Sequence, residues 1–136
     1  MIANEDIGAA YPLAAAITYS CVESAKQLGL PEAALPLSNA VVMLATAPKS
    51  NSAYTAYHRA AADAQNGLGA KLPEHLRSPL FKGYRYPHDY PGHYVKQQYL
   101  PDDLKDREYY QFGENKTEQL AKAYFDQMKK AAEGQK

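Results

Sequence analysis

The chain has 136 residues, of which 46% are hydrophobic and 22% charged, an ordinary composition for one globular domain with a modest core. Its 15 basic and 15 acidic residues cancel, and this balance excludes a strong overall field that would steer a charged partner. The lone cysteine excludes an internal disulfide, no apolar run approaches the ~20 residues of a membrane-spanning helix, and the acidic N-terminus does not fit a secretion signal, so we expect a soluble cytoplasmic protein.

The first two predicted elements are helices. Pro12 suits the first turn of a helix that Gly29 would end. Pro36 opens a second helix that stops before Pro48, and because apolar residues surround it almost completely we expect it to be the most buried element. The apolar face of the first helix would contain Leu13, Ile17, Cys21, Ser24 and Leu28.

A third helix follows a short connection. Ser50 or Asn51 can cap its N-terminus, and Gly67 would end it. Its alanines recur at three- and four-residue spacing, which permits close approach of another helix from the same chain or from a second subunit. These alanines are Ala53, Ala56, Ala60 and Ala64.

The second half of the chain predicts one more long helix. Short turns are expected at 73–77 and 101–105, and residues 107–112 fit a short strand or an extended connector. Asn115 and Glu118 have capping-box spacing before a helix that starts near Thr117 and frays after Lys129. Its buried side would contain Leu120, Ala121, Tyr124, Phe125 and Met128.

Residues 84–101 interrupt this helical pattern. They hold five of the 12 tyrosines, three of the nine prolines and two of the four histidines, without helical or strand periodicity. Disordered segments are poor in aromatic residues, so we expect an ordered irregular segment packed by its rings. The predicted fold is therefore all-α, a compact bundle of four to five helices with one long proline- and tyrosine-rich segment.

Several residues of this segment are candidates for chemistry. His88, Asp89 and His93, with His75 brought in by folding, could bind a metal ion, but local packing and backbone hydrogen bonds are the favoured interpretation. Cys21 is interpreted as a core residue rather than a nucleophile. No glycine-rich phosphate-binding loop is present, so the chain alone should not hydrolyse nucleotides.

The same segment is also a candidate contact surface. Residues 77–100 carry four cations and one acid, a net charge of +3. Tyrosines between cations can stack on bases while the cations meet phosphates, but the same rings can be internal packing, and tyrosine and arginine are also enriched in protein interfaces. The candidate DNA or partner contacts are Lys82, Arg85, Tyr86, Tyr90 and Lys96.

Three stretches resemble one family. They are EDIGAAYP at 5–12, LPLSNAVVMLATAPKSNSAY at 35–54 and YRYPHDYPGHYVKQQYLPDDLKDREYY at 84–110. They are similar to the C-terminal region of the replication-associated recombination protein A family, also called MgsA, which are AAA+ ATPases related to clamp-loader subunits and to the Werner helicase-interacting protein. The short connection between Arg77 and Lys82 departs from the family's usual pattern.

The resemblance implies that residues 1–136 form a C-terminal oligomerisation domain, like the collar of clamp loaders, without the AAA+ module that would bind ATP and magnesium. It implies a homotetramer, most simply of D2 symmetry, that works with DNA and single-strand DNA-binding protein at the nucleoid. No catalytic, cofactor or metal residue is carried over. The alternative is a single-stranded or junction DNA-binding module using residues 82–99. Motif residues with a structural or assembly role would be Ala47, Pro48, Lys49, Ser50 and Asn51, and Pro87, His88, Asp89, Pro91, Gly92 and His93.

Overall fold

The computed structural model describes residues 1–79 and 81–133, and within these residues it is all-α, as predicted. Residues 107–112 have no regular secondary structure, so of the two predicted forms they adopt the connector and not the strand. No strand occurs in the described part of the chain. Short helical turns lie before α1 and between α3 and α4. The long helices are α1 (Ala14–Leu28), α2 (Ala34–Thr46), α3 (Ser52–Gln65) and α4 (Lys116–Glu133).

The chain divides into two compact units. The first unit contains Met1–Ala56 and Tyr110–Gln119, and the second contains Tyr57–Tyr109 and α4 from Leu120 onward. The chain crosses from one unit to the other within both α3 and α4. The single domain expected over residues 1–136 stays a prediction.

The core of the first unit lies where the N-terminal turn, Ala3–Ile7, meets α1 and α2. Ile7 and Ala14 are completely buried there. The predicted apolar face of α1 is only partly right. Ile17 and Cys21 are half-buried as expected, but Leu13 and Leu28 are more than half exposed, and the buried residues are Ala14 and Ala25. α1 packs against α2, and Met43 and Leu44 of α2 lie against the core that contains Ala14.

The prediction that α2 is the most buried element is wrong. Ala40 is its one buried residue. Its proline-marked start is nearly right, since the helix begins at Ala34, two residues before Pro36, and it ends at Thr46 before Pro48. An apolar sequence around the whole circumference therefore does not report which side of the helix this chain covers.

The last helix differs from its prediction in face and length. Leu120 and Tyr124 are exposed, whereas Phe125 and Met128 are half-buried as expected. The buried positions of α4 are Glu118 and Ala132. The helix continues through Glu133 rather than fraying after Lys129, and residues 134–136 lie outside the described part.

In the second unit, an ion pair and hydrogen bonds connect α3 and the loop after it to later segments of the chain. Asp63 pairs with Arg107, whose Nε lies 3.1 Å from Oδ2, and it accepts a 2.9 Å hydrogen bond from the Tyr109 hydroxyl. In the loop after α3, the Gly69 N–H donates to the Asp103 carboxylate at 2.9 Å. These contacts join the connector before α4 and the turn Asp102–Leu104 to α3 and its following loop.

Candidate interaction surfaces

The outward side of α2 is apolar and carries no charge. Leu35 is 76% exposed, Val41 65%, Val42 60% and Leu37 42%. The solvent side of a surface helix normally carries charged residues, but α2 contains no Asp, Glu, Lys, Arg or His. This side of the helix, defined by Leu35, Leu37, Val41 and Val42, is called the α2 surface below.

The hydroxyl groups of α2 make its surface still less polar. Ser38 Oγ donates to the Ala34 carbonyl at 2.7 Å, and Thr46 Oγ1 donates to the Val42 carbonyl at 2.8 Å. Because each hydroxyl bonds its own helix, neither depends on a water molecule for a partner. The α2 surface can therefore be covered by another apolar surface without leaving these donors unpaired.

The motif Ala47–Asn51 connects α2 to α3 and is built into the fold. Lys49 Nζ donates to the carbonyls of Leu44, Ala45 and Ala47 at 3.0, 3.3 and 2.5 Å, and so caps the C-terminus of α2. Ser50 is buried, and its N–H donates to the Asp6 carbonyl at 2.8 Å. Its Oγ accepts the Ser52 N–H at 3.3 Å, which agrees with the predicted role of Ser50 at the start of α3.

Glu118 lies at the centre of the first unit's polar core. Its side chain is 1% exposed and accepts the Tyr110 hydroxyl at 2.6 Å and the Gly113 N–H at 2.9 Å. Burial by itself raises the pKa of Glu118, but hydrogen bonds from Gly113, Tyr110, Ser50 and Asn115 outweigh it and lower the pKa to about 2. The buried carboxylate therefore stays ionised at neutral pH.

The predicted capping box at the start of α4 forms in one direction only. Asn115 Oδ1 accepts the Glu118 N–H at 3.0 Å, as expected for a cap. The Glu118 carboxylate bonds the Asn115 side chain and the Gly113 N–H rather than the backbone of the cap residue. Spacing predicted the Asn115 contact, but nothing local indicated the partners Tyr110 and Ser50.

Residues 84–100 fold back through two short turns, Pro87–Asp89 and Pro91–His93. Gly92 in the second turn has φ +72°, a left-handed conformation that glycine adopts without cost, and His93 follows at φ +52°. The segment is thus ordered and irregular, as predicted. The turns place several of the candidate contact residues on one part of the second unit.

Arg85 is fixed at the centre of this segment. Its Nε donates to the Tyr90 hydroxyl at 3.1 Å, and its guanidinium carbon lies 4.8 Å from the centre of the Tyr90 ring. Its Nη1 reaches the Lys96 carbonyl at 3.4 Å. Gln97 holds the backbone of Arg85 from both sides, since its Oε1 accepts the N–H at 3.2 Å and its Nε2 donates to the carbonyl at 2.7 Å.

Three aromatic side chains follow one another beside Arg85. The ring centres of Tyr86 and His88 are 5.0 Å apart with a 48° angle between planes, and those of His88 and His93 are 4.9 Å apart with 47°. All three residues are exposed. We call Tyr86, His88 and His93 the ring ladder.

The other predicted site residues lie in the same part of the sequence as the ladder. Lys82 and Lys96 are exposed, and Tyr90 is half-buried beneath Arg85. The five candidate contacts thus come from one segment of the second unit. Arg85 joins two of them, since its side chain bonds the Tyr90 hydroxyl and the Lys96 carbonyl. Sequence inspection missed Gln97, whose amide organises this cluster.

The proposed metal chemistry lacks a complete ligand set in the described residues. There, no three side chains of His, Cys, Asp or Glu converge in a way that could hold a metal ion. His75 donates its Nε2–H to the Gln98 carbonyl at 2.7 Å instead.

Cys21 is half-buried in α1. Every helix in the described residues is too short or too polar to cross a lipid bilayer.

The sequence of this chain is similar to a family of known proteins. The sequence model described as MgsA AAA+ ATPase C terminal matches residues 1–129. Replication-associated recombination protein A of Bacillus subtilis is 41% identical over 96% of this chain and 33% of its own length. An AAA domain-containing protein of Mycobacterium tuberculosis is 40% identical over 81% of this chain and 26% of its length.

A third relative has a lower sequence identity. Replication-associated recombination protein A of Escherichia coli is 34% identical over 80% of this chain and 27% of its length. The chain therefore spans about a third or less of the length of the relatives it matches.

Proposed function

This chain belongs to the MgsA family of AAA+ ATPases, as its C-terminal part, and we propose that it acts by holding copies of the ATPase together. The assembly would be a homotetramer that maintains replication forks and supports recombination in the bacterial cytoplasm, at the nucleoid. ATP and magnesium would bind the AAA+ module of the longer protein, so this part would contribute assembly rather than catalysis.

The uncharged α2 surface is the observation that carries this proposal. Four of its aliphatic side chains are between 42% and 76% exposed, and full burial of one such side chain contributes about 1.5–3 kcal/mol. A stable interface buries roughly 800 Å² on each partner, so the α2 surface would supply its apolar centre and neighbouring residues its rim.

A second copy of this chain is the occupant that fits best. The surface has no charge and no unpaired hydroxyl, so nothing selects a partner of opposite charge. Two copies related by a twofold axis would place the same apolar side chains against each other. Two such axes generate the D2 tetramer, and each linked ATPase module would then work at a raised effective concentration relative to its neighbours.

Light scattering after size exclusion, at several protein concentrations, tests the proposal. The expected mass is about four times the 15.0 kDa of the chain. Val42→Glu puts a charge into the α2 surface and should reduce the mass to that of a monomer or dimer. Leu120→Glu, an equally exposed position on α4, is the matched control and should leave the mass unchanged.

A wild-type chain that stays monomeric at all concentrations would contradict self-association. In that case we would expect another part of the longer protein to cover the α2 surface. If Leu120→Glu dissociated the assembly and Val42→Glu did not, assembly would stand but its assignment to α2 would be wrong.

A further inference from the structure

The ring ladder and the cations around it are not used by assembly through α2. We propose that this part of the second unit binds single-stranded nucleic acid, with Tyr86, His88 and His93 stacking on bases and Lys82, Arg85 and Lys96 contacting phosphates. The proposal goes beyond self-association and is independent of it, because every residue that carries it lies in the second unit.

The spacing of the rings suits a short run of unstacked bases. Successive ring centres are about 5 Å apart, 5.0 Å and 4.9 Å, and the planes tilt by 48° and 47° rather than stacking face to face. Tilted neighbours do not cover each other's faces completely, and Tyr86 is 53% exposed. Because every base has a flat apolar face, such rings bind bases with little dependence on sequence.

The stretch of sequence that contains the ladder carries a net charge of the sign that phosphates require. Residues 77–100 contain four cations and Asp89 as their one acid. Arg85 is already immobilised by Tyr90 and the Lys96 carbonyl, so binding a phosphate would cost it little conformational entropy. Lys82 and Lys96 are exposed and can follow the backbone of a strand.

The polarity of this region favours nucleic acid over a protein partner. Tyrosine and arginine also occur in protein interfaces, but the core of such an interface is depleted of charged residues. Here Lys82, Arg85 and Lys96 are all exposed, and Val95, the single aliphatic residue of residues 84–99, is 2% exposed. The remaining exposed side chains are mainly rings, amides and cations, with Asp89 as the one exposed carboxylate. A single strand is favoured over a duplex, because paired and stacked bases would not offer their faces to the ladder.

Fluorescence anisotropy with a labelled oligothymidylate of about 12 nucleotides tests the proposal on the 136-residue chain. Affinity should fall as salt rises, with a slope of log Kobs against log salt near about −2 for three phosphate contacts. An unlabelled duplex of equal length should compete poorly.

Variants separate stacking from charge. Tyr86→Ala combined with His88→Ala should raise Kd at least about tenfold, whereas Tyr86→Phe should stay within about twofold of wild type. Lys82→Ala with Lys96→Ala should reduce the magnitude of the salt slope by about 1.4. Tyr124→Ala removes an equally exposed ring elsewhere in the second unit and should leave affinity unchanged.

Light scattering on the same samples distinguishes this proposal from assembly. The ladder variants should bind DNA weakly while keeping the wild-type mass and thermal unfolding midpoint. Absence of binding at low salt, or equal loss in Tyr124→Ala, would overturn the proposal. A ladder variant with lower mass and unchanged DNA affinity would also overturn it and make the ladder a protein interface.

Discussion

At the scale of single residues, Glu118 shows how an ionised group is accommodated in a protein core. Isolated buried carboxylates are costly, so they persist where donors surround them. Here a backbone N–H, a phenol, an amide and a serine hydroxyl all face the carboxylate. Tyr110, Gly113 and Asn115 lie within eight residues of Glu118, whereas Ser50 is distant in sequence. This side chain therefore connects the segment before α3 to the start of α4.

Acid should therefore destabilise the protein through Glu118. Its pKa is lowered from 4.5 to about 2 in the folded state, so its stabilising contribution is complete above pH 4.5 and is lost as pH falls toward 2. The contribution is about 3 kcal/mol near neutral pH. Glu118→Gln should lower the unfolding free energy at pH 7. Near pH 3 the difference in unfolding free energy between the variant and wild type should be smaller. Urea titration at the two pH values measures both. Glu114→Gln, exposed on the same connector, should change neither quantity.

Lys49 has a structural role that its exposed position hides. Its ammonium group serves three carbonyls at the end of α2, where helix carbonyls have no partners within the helix. Lys49→Met keeps the apolar stem and removes the donor, so it should destabilise the chain by about 1 kcal/mol in chemical denaturation. Lys105→Met, at another exposed lysine, should be close to neutral. Equal stability of the two variants would show that water replaces the lysine without cost.

At the scale of elements, the loop after α3 depends on a close approach to the turn Asp102–Leu104. Gly69 has φ +80°, and a Cβ added there would lie 2.9 Å from Leu104 Cδ1. Gly67 in the same loop also has φ +80°, but its added Cβ would meet nothing within 4 Å. The two glycines share a backbone conformation and differ in packing.

This pair allows backbone strain to be separated from crowding. Gly67→Ala should cost about 1 kcal/mol for the left-handed conformation alone. Gly69→Ala should cost more, by about 1–2 kcal/mol, because it must also displace the Leu104 side chain. Thermal unfolding of both variants measures the difference. Identical midpoints would mean that Leu104 moves aside without cost.

At the scale of the whole molecule, the described residues bury few large side chains. Those that are less than 2% exposed are Ile7, Val95 and the charged Glu118, while aliphatic residues of α2 face outward. Apolar area left on a monomer becomes a source of stability when copies associate. Stability should therefore depend on protein concentration.

The thermal midpoint of the wild-type chain should rise by several degrees over a hundredfold increase in concentration, because association stabilises the folded state by mass action. Val42→Glu should show a lower midpoint that does not vary with concentration. Differential scanning fluorimetry at matched concentrations would measure both. A concentration-independent midpoint for wild type would contradict self-association.

The residue sequence by itself determined the elements and the family of this protein. Prolines, glycines and short polar caps act on their immediate neighbours, so the ends of α1 and α2, the cap at Asn115 and the irregular segment at 84–101 were predictable from local chemistry. The long motifs at 35–54 and 84–110 carried the family resemblance, which the comparisons confirm.

Tertiary structure alone decided which face of each helix is covered and which distant groups meet. Around α2 the apolar residues are nearly uniform, so only the packing of α1 determines that Ala40 faces inward and Val42 outward. Likewise, local spacing paired Glu118 with Asn115, but its bond to Ser50 depends on how residues 110–119 return to the first unit. Periodicity reports the shape of an element, whereas burial depends on contacts between elements far apart in sequence.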